Sequence, residues 1–181
     1  MKKLLGAILF LASLSPSAYP KNLYKGFEKG ELSLGIEERC DFDSETNFSF
    51  GYALSNRYEF VLGYIAGRDY HKSKVINLDI NFHFFLKRKF DLYFGLGPSY
   101  STENYSFYYA IDDTLLLNST NPKTVTAKYL GGMATLGINY YPFKNVSLDF
   151  DIKTRWLAGI SKYGYDAIGR GGPFLGIKYN F

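Results

Sequence analysis

Apolar residues at every second position constrain this chain more than any other feature, and the last eleven residues show them most plainly. In Gly171 to Phe181, the apolar Leu175, Ile177, Tyr179 and Phe181 alternate with Gly176, Lys178 and Asn180. A period of two predicts a β-strand. An apolar strand ending on an aromatic at the last residue would leave an exposed edge in a soluble protein. Pairing it with the first strand closes the sheet and removes that edge. The rest of the chain must then supply the strands that complete the ring.

Seven further segments carry the same alternation. They are Gly30 to Glu37, Asn47 to Leu54, Tyr58 to Ala66, Lys74 to Phe84, Phe90 to Tyr100, Thr126 to Tyr140 and Val146 to Trp156. The fourth is the most regular, with Ile76, Leu78, Ile80, Phe82 and Phe84 opposite Asn77, Asp79, Asn81 and His83. Segments of about eight to eleven residues match a tilted strand that crosses a bilayer. The connections alternate as well. Those at 55–57, 87–89 and 141–145 are short, and those at 38–46, 67–73, 101–125 and 157–170 are longer. Short turns on one side of a membrane and long loops on the other produce this rhythm.

The two faces decide which way the barrel points. A soluble barrel, such as a lipocalin, turns its apolar face inward. Here the other face carries Gly35, Gly51, Gly63, Gly95, Gly97, Gly131, Gly137 and Gly176, interspersed with charges. Such a face builds no hydrophobic core, but it suits a narrow interior filled by long polar side chains. The acids expected inside are Glu31, Glu37, Glu59, Asp79, Asp91, Asp149 and Asp151; the bases are Lys153, Arg155 and Lys178. An eight-stranded barrel is wide enough only for its own side chains, and buried charges need partners. The expectation is an all-β, eight-stranded, antiparallel up-and-down transmembrane β-barrel whose lumen is plugged by ion pairs.

The N-terminus fits export. Lys2 and Lys3 precede an apolar run, Leu4 to Leu14, that is too short to span a bilayer as a helix. Small residues then allow cleavage after Ser17 or Ala18, giving a signal peptide over residues 1–18 and a barrel domain over residues 19–181. An uncleaved anchor helix is the alternative. Without Lys2 and Lys3 the balance is 19 basic against 17 acidic residues, which excludes the concentrated basic patch of a nucleic-acid binder. A lone cysteine, Cys40, excludes an intrachain disulfide.

The export signal, the eight amphipathic segments and the Tyr179-Asn180-Phe181 ending together resemble the small outer-membrane barrels of the OmpA-transmembrane-domain, OmpX and opacity-protein type. Phe94-Gly95-Leu96-Gly97 and Phe174-Leu175-Gly176-Ile177 are similar to strand motifs of those barrels. The resemblance implies a place in the outer membrane of a Gram-negative-type bacterium, contact with outer-membrane lipid, and an assembly signal at Tyr179 and Phe181 read by the barrel assembly machinery. It also implies a monomer with an adhesin-like or envelope-structural role and a possible host or surface protein as partner. Some small barrels of the outer membrane modify lipid A, so a deacylase-like enzyme is the alternative, and a small pore a weaker one.

Three groups of residues are candidates for chemistry or contact. His71 and Ser73, with Asp69 nearby, have the residue types of a nucleophile and its base; an ordinary polar loop accounts for them better, since triads are recognised by geometry and not by short spacing. His83, Asp79 and Asn81 share one strand face, where a lumen hydrogen-bond network accounts for them better than a metal. The stretch Ser101 to Val125 carries Tyr105, Phe107, Tyr108 and Tyr109, the aromatic types that anchor protein interfaces. Its bland alternative is a hairpin that merely extends the flanking strands. No cofactor, metal or catalytic residue is expected. The Asn-x-Ser/Thr matches at Asn47, Asn118 and Asn145 are read as chance.

Overall fold

A computed structural model of the chain describes residues 29–41, 44–67, 72–87, 89–107, 123–143, 145–161 and 168–181, leaving aside the side chains of 85–87, 105–107, 123 and 168. The predicted signal peptide lies outside these residues. The eight strands are β1 (Leu32–Arg39), β2 (Glu45–Ala53), β3 (Tyr58–Gly67), β4 (Lys74–Lys87), β5 (Phe90–Phe107), β6 (Lys123–Phe143), β7 (Val146–Gly159) and β8 (Ile168–Asn180). Each pairs antiparallel with its chain neighbour, and β1 pairs with β8, so the sheet is a closed up-and-down barrel. The register at the closure runs from Ser33 opposite Asn180 to Arg39 opposite Phe174.

The burial pattern is inverted relative to a soluble barrel. Exposed positions include Leu34, Phe50, Leu62, Ile80, Leu96, Leu136 and Ile152, whereas Glu59, Asp91, Asp151, Lys153 and Arg155 are buried. A continuous apolar wall of this kind is stable in lipid and not in water, and a closed barrel leaves no backbone group unpaired there. Aromatic side chains rim the wall at the end with the short turns. Tyr58 packs on Phe82 at 5.3 Å, Phe90 on Tyr140 at 5.1 Å and Tyr179 on Phe181 at 4.9 Å between ring centroids. Along β5, Phe90 and Tyr100 are ten residues apart, about 33 Å of strand, which a tilt of about 40° reduces to about 25 Å across the membrane. That is the thickness of an outer-membrane apolar band.

Interior glycines give the lumen side chains their room. A Cβ at Gly51 would meet the side chains of Glu59 and Ser33, one at Gly63 would meet Asn77, and one at Gly137 would meet the Tyr93 ring.

Several boundaries depart from the sequence reading. β1 starts at Leu32 and not at Gly30, because Gly30 adopts a positive φ of 92° and bends the chain. Glu31 lies just before the strand, half-buried, with its carbonyl accepting from the Ala53 amide at 2.9 Å. β1 and β2 also run further than expected, so their connection shrinks to residues 40–44, hardly longer than the 54–57 turn. Long and short connections thus alternate clearly only from β3 onward. β5 and β6 extend to Phe107 and Lys123, which face each other across the ladder. A register shift between His83 and Phe85 in β4, and another between Tyr140 and Phe143 around Pro142 in β6, interrupt the alternation near the turns. Ile177 has the outward parity of a lipid-facing residue yet is only 1% exposed. It lies in an apolar groove of about 470 Å³ bordered by the larger Phe48, Phe50, Tyr64, Tyr179 and Phe181.

Candidate functional site

Two places carry most of the polar chemistry: the lumen, and the loop end beyond the lipid belt. In the lumen the period of two sends the charged residues of β7, with Glu59 of β3, Asp79 and His83 of β4 and Lys178 of β8, toward the axis, and three tiers of ion pairs result. Nearest the turns, His83 Nδ1 lies 2.5 Å from Asp91 Oδ2 and its Nε2 lies 3.6 Å from Glu59. Lys178 approaches the same Glu59 at 3.4 Å and Asp149 at 4.0 Å, and Ser33 Oγ donates to Glu59 at 2.7 Å. In the middle, Lys153 Nζ bridges Glu37 at 2.7 Å and Asp151 at 2.9 Å. Tyr93 Oη donates to the other oxygen of Asp151 at 2.6 Å, its ring lying between His83 at 5.2 Å and the Lys178 ammonium at 5.7 Å. Toward the loops, Arg155 donates to both oxygens of Glu45, at 2.8 and 3.0 Å, and Arg39 reaches Glu45 at 3.2 Å and Asp41 at 2.6 Å.

Two small apolar clusters sit beside this last tier, Ile65 with Val75 and Met133, and Ala127 with Tyr129 and Leu157. In the middle of the lumen, a cavity lined by Asn77, Asp79, Tyr93 and Lys153 among others has a volume of about 20 Å³. That is room for one water.

The candidates fall out as follows. Ser73 is buried, with its hydroxyl 3.5 Å from Glu45 inside the barrel. It therefore faces the lumen and not the lipid. Asp69 and His71 lie outside the described residues. His83 is held between Asp91 and Glu59, Asp79 accepts from Asn77, and Asn81 donates to Glu59 at 3.4 Å. These contacts are those of a lumen network, and among the described residues no group of three or more His, Cys, Asp or Glu is arranged to hold a metal. Asn47 is buried within β2, on the lumen side.

At the loop end the most prominent feature is the β5–β6 arm. β4 begins at Lys74, opposite Thr102, and β7 ends at Gly159, opposite Tyr129. Beyond those pairs, Glu103 to Phe107 and Lys123 to Ala127 pair only with each other among the described residues. From Tyr100 to Phe107 the arm extends about 23 Å of strand past the apolar wall. Tyr105 and Phe107 belong to it through their backbone, so the hairpin extension holds for these two positions. Tyr108, Tyr109 and Leu115 to Leu117 lie outside the described residues. Tyr179 and Phe181 are where the closing strand was expected to place them, on the outer wall at the turn end, with the Phe181 amide donating to Leu32 O at 2.8 Å. The sequence reading missed Arg39, Glu45 and Glu103 as lumen charges, because it placed all three in loops. Glu45 and Glu103 do follow the alternation of their extended strands, and that was the available signal.

No family model matches the chain and no curated protein matches it in sequence. Solved structures do match in fold. The N-terminal β-barrel domain of Pseudomonas aeruginosa OprF aligns with a TM-score of 0.58 at 19% identity, covering 86% of this chain and 100% of that one. Neisserial surface protein A aligns with a TM-score of 0.59 at 14% identity, covering 83% and 95%. Ail, the attachment invasion locus protein of Yersinia pestis, aligns with a TM-score of 0.51 at 16% identity, covering 86% and 100%. The chain thus has the fold of small eight-stranded outer-membrane barrels, as the sequence reading expected.

Proposed function

We propose that this chain is an exported outer-membrane barrel, closed to ions and without catalytic activity, that presents its loop end as a surface for contact with other molecules. The observation that carries the reading is the pairing of an ion-locked lumen with a β-arm that continues well past the lipid wall. On this reading the pairs Glu45–Arg155, Lys153–Glu37 and Lys178–Glu59 fill the lumen and close it to solute. The arm, by contrast, costs chain that membrane spanning does not need. Its strand edges are unpaired among the described residues and it carries aromatic positions, the two means by which such surfaces hold a protein partner.

In this reading residues 1–18 are the export signal, the assembly machinery engages Tyr179 and Phe181, the short turns face the periplasm and the barrel works as a monomer. Resemblance to a surface protein and to an attachment protein supports a host or surface protein as the partner. The inward-facing Ser73 argues against a lipid-modifying enzyme built on His71 and Ser73.

The arm can be tested by replacing residues 108–122 with a short Gly-Ser turn, since the Phe107–Lys123 pair below it already closes the hairpin. The variant should assemble normally and lose binding of expressing cells to host-cell or matrix proteins. Binding equal to that of the unaltered protein would remove the arm from the contact surface.

A further inference from the structure

One feature of the outer wall belongs neither to the lumen network nor to the arm. Lys74 of β4, Thr102 of β5 and Lys128 of β6 stand at one level, as Cα partners across two consecutive ladders. All three point outward: their chain neighbours Ser73, Val75, Ser101, Glu103, Ala127 and Tyr129 are buried in the barrel, while both lysines are exposed and Thr102 is half-buried. One rung toward the turn end, Ile76, Tyr100 and Leu130 form the top row of the apolar wall. One rung the other way, Thr126 Oγ1 donates to Asn104 Oδ1 at 2.8 Å. The lysines therefore stand at the depth where hydrocarbon gives way to headgroups.

Two inter-strand steps separate the lysine Cα atoms by about 10 Å. Their flexible four-carbon stems let both ammonium groups converge above the Thr102 hydroxyl between them. The nearest acid in sequence, Glu103, faces the lumen and is bound to Arg170 at 3.0 Å. Neither ammonium has a carboxylate partner among the described residues. Two unpaired cations and a hydroxyl on a wall otherwise made for lipid match the one anion that a bilayer presents at that depth. We propose that Lys74, Thr102 and Lys128 bind the phosphate of a membrane lipid in the leaflet at the loop end. The inference rests on the membrane placement argued above.

Trp156 provides the readout. It is the only tryptophan of the chain and is 56% exposed on the outer wall. It pairs with Gly132, two outward rungs below Lys128 on the neighbouring strand, so the acyl chains of a lipid seated on the lysines pass close to it. The full-length mature protein is reconstituted in brominated phosphatidylcholine, which quenches Trp156. Three unbrominated lipids are then added in turn: a diphosphorylated glycolipid of the lipid A type, its dephosphorylated form, and phosphatidylglycerol.

Phosphorylated lipid should relieve quenching beyond its mole fraction, by roughly fivefold for each lysine engaged. The Lys74→Gln/Lys128→Gln variant should return to the mole-fraction line with its barrel intact. Enrichment of the glycolipid alone, of phosphatidylglycerol alone, or of both supports the site and identifies the lipid source. Equal enrichment of the dephosphorylated glycolipid, no enrichment of any phosphorylated lipid, or wild-type enrichment in the double variant would overturn it. A Trp156 that no brominated lipid quenches would instead overturn the membrane placement itself.

Discussion

Glu45 shows how much one lumen side chain can hold. It accepts two hydrogen bonds from Arg155 and one from Arg39, and Ser73 Oγ lies 3.5 Å from it, all with the carboxylate buried. Removing a single member of a buried ion pair leaves the partner charge desolvated and unpaired, at a cost of about 3–5 kcal/mol. Glu45→Ala should therefore lower stability by about 3 kcal/mol or more in urea unfolding from lipid vesicles, followed through Trp156. Adding Arg155→Met to that variant should recover a large part of the loss, because an apolar side chain replaces an orphaned charge. A double variant as unstable as the sum of the two single changes would mean that the pair does not couple. Tyr93 makes the complementary point about volume. Its ring fits because the facing position is Gly137, and the phenol reaches Asp151 because the ring can lie flat against that gap.

At the scale of elements, β8 is the strand through which the ring closes. It shares seven residue pairs with β1, from Ser33–Asn180 to Arg39–Phe174, and Phe181, one residue past its end, adds a backbone hydrogen bond to Leu32 O. Phe181 is 64% exposed on the lipid side, and its ring packs edge-on against Tyr179. Its value to the folded barrel is small, so an assembly role separates cleanly from a packing role. Phe181→Asp should leave the urea midpoint of barrels already folded in vesicles within about 1 kcal/mol, while the yield of heat-modifiable barrel in cellular outer membranes drops severalfold. An unchanged cellular yield would count against the assembly signal.

The strands themselves were legible because a half-lipid, half-lumen environment repeats every two residues, and all eight segments carry that period. Their ends were not. Polar residues such as Glu38, Arg39 and Glu45 read as loop when water is assumed around them, yet inside this barrel Arg39 and Glu45 are strand residues that partner each other at 3.2 Å. The Lys74–Thr102–Lys128 row was likewise hidden, since it exists only once the register of three strands is known.

For the molecule as a whole, the lumen decides between a surface protein and a channel. The ion pairs run from His83–Asp91 near the turns, through Lys153–Glu37, to Arg155–Glu45 near the loops. An eight-stranded barrel has little interior beyond its own side chains, and the small central cavity has room for one water. The charged residues that the alternation assigned to one face do meet along the axis. Which acid would pair with which base was beyond sequence reasoning, because the pairs join residues as distant as Glu45 and Arg155. The most direct test is single-channel recording from the purified protein in planar lipid bilayers. The closed-lumen account predicts a flat baseline in the unaltered protein across ±100 mV. Reproducible, steady conductance steps from that protein would contradict it.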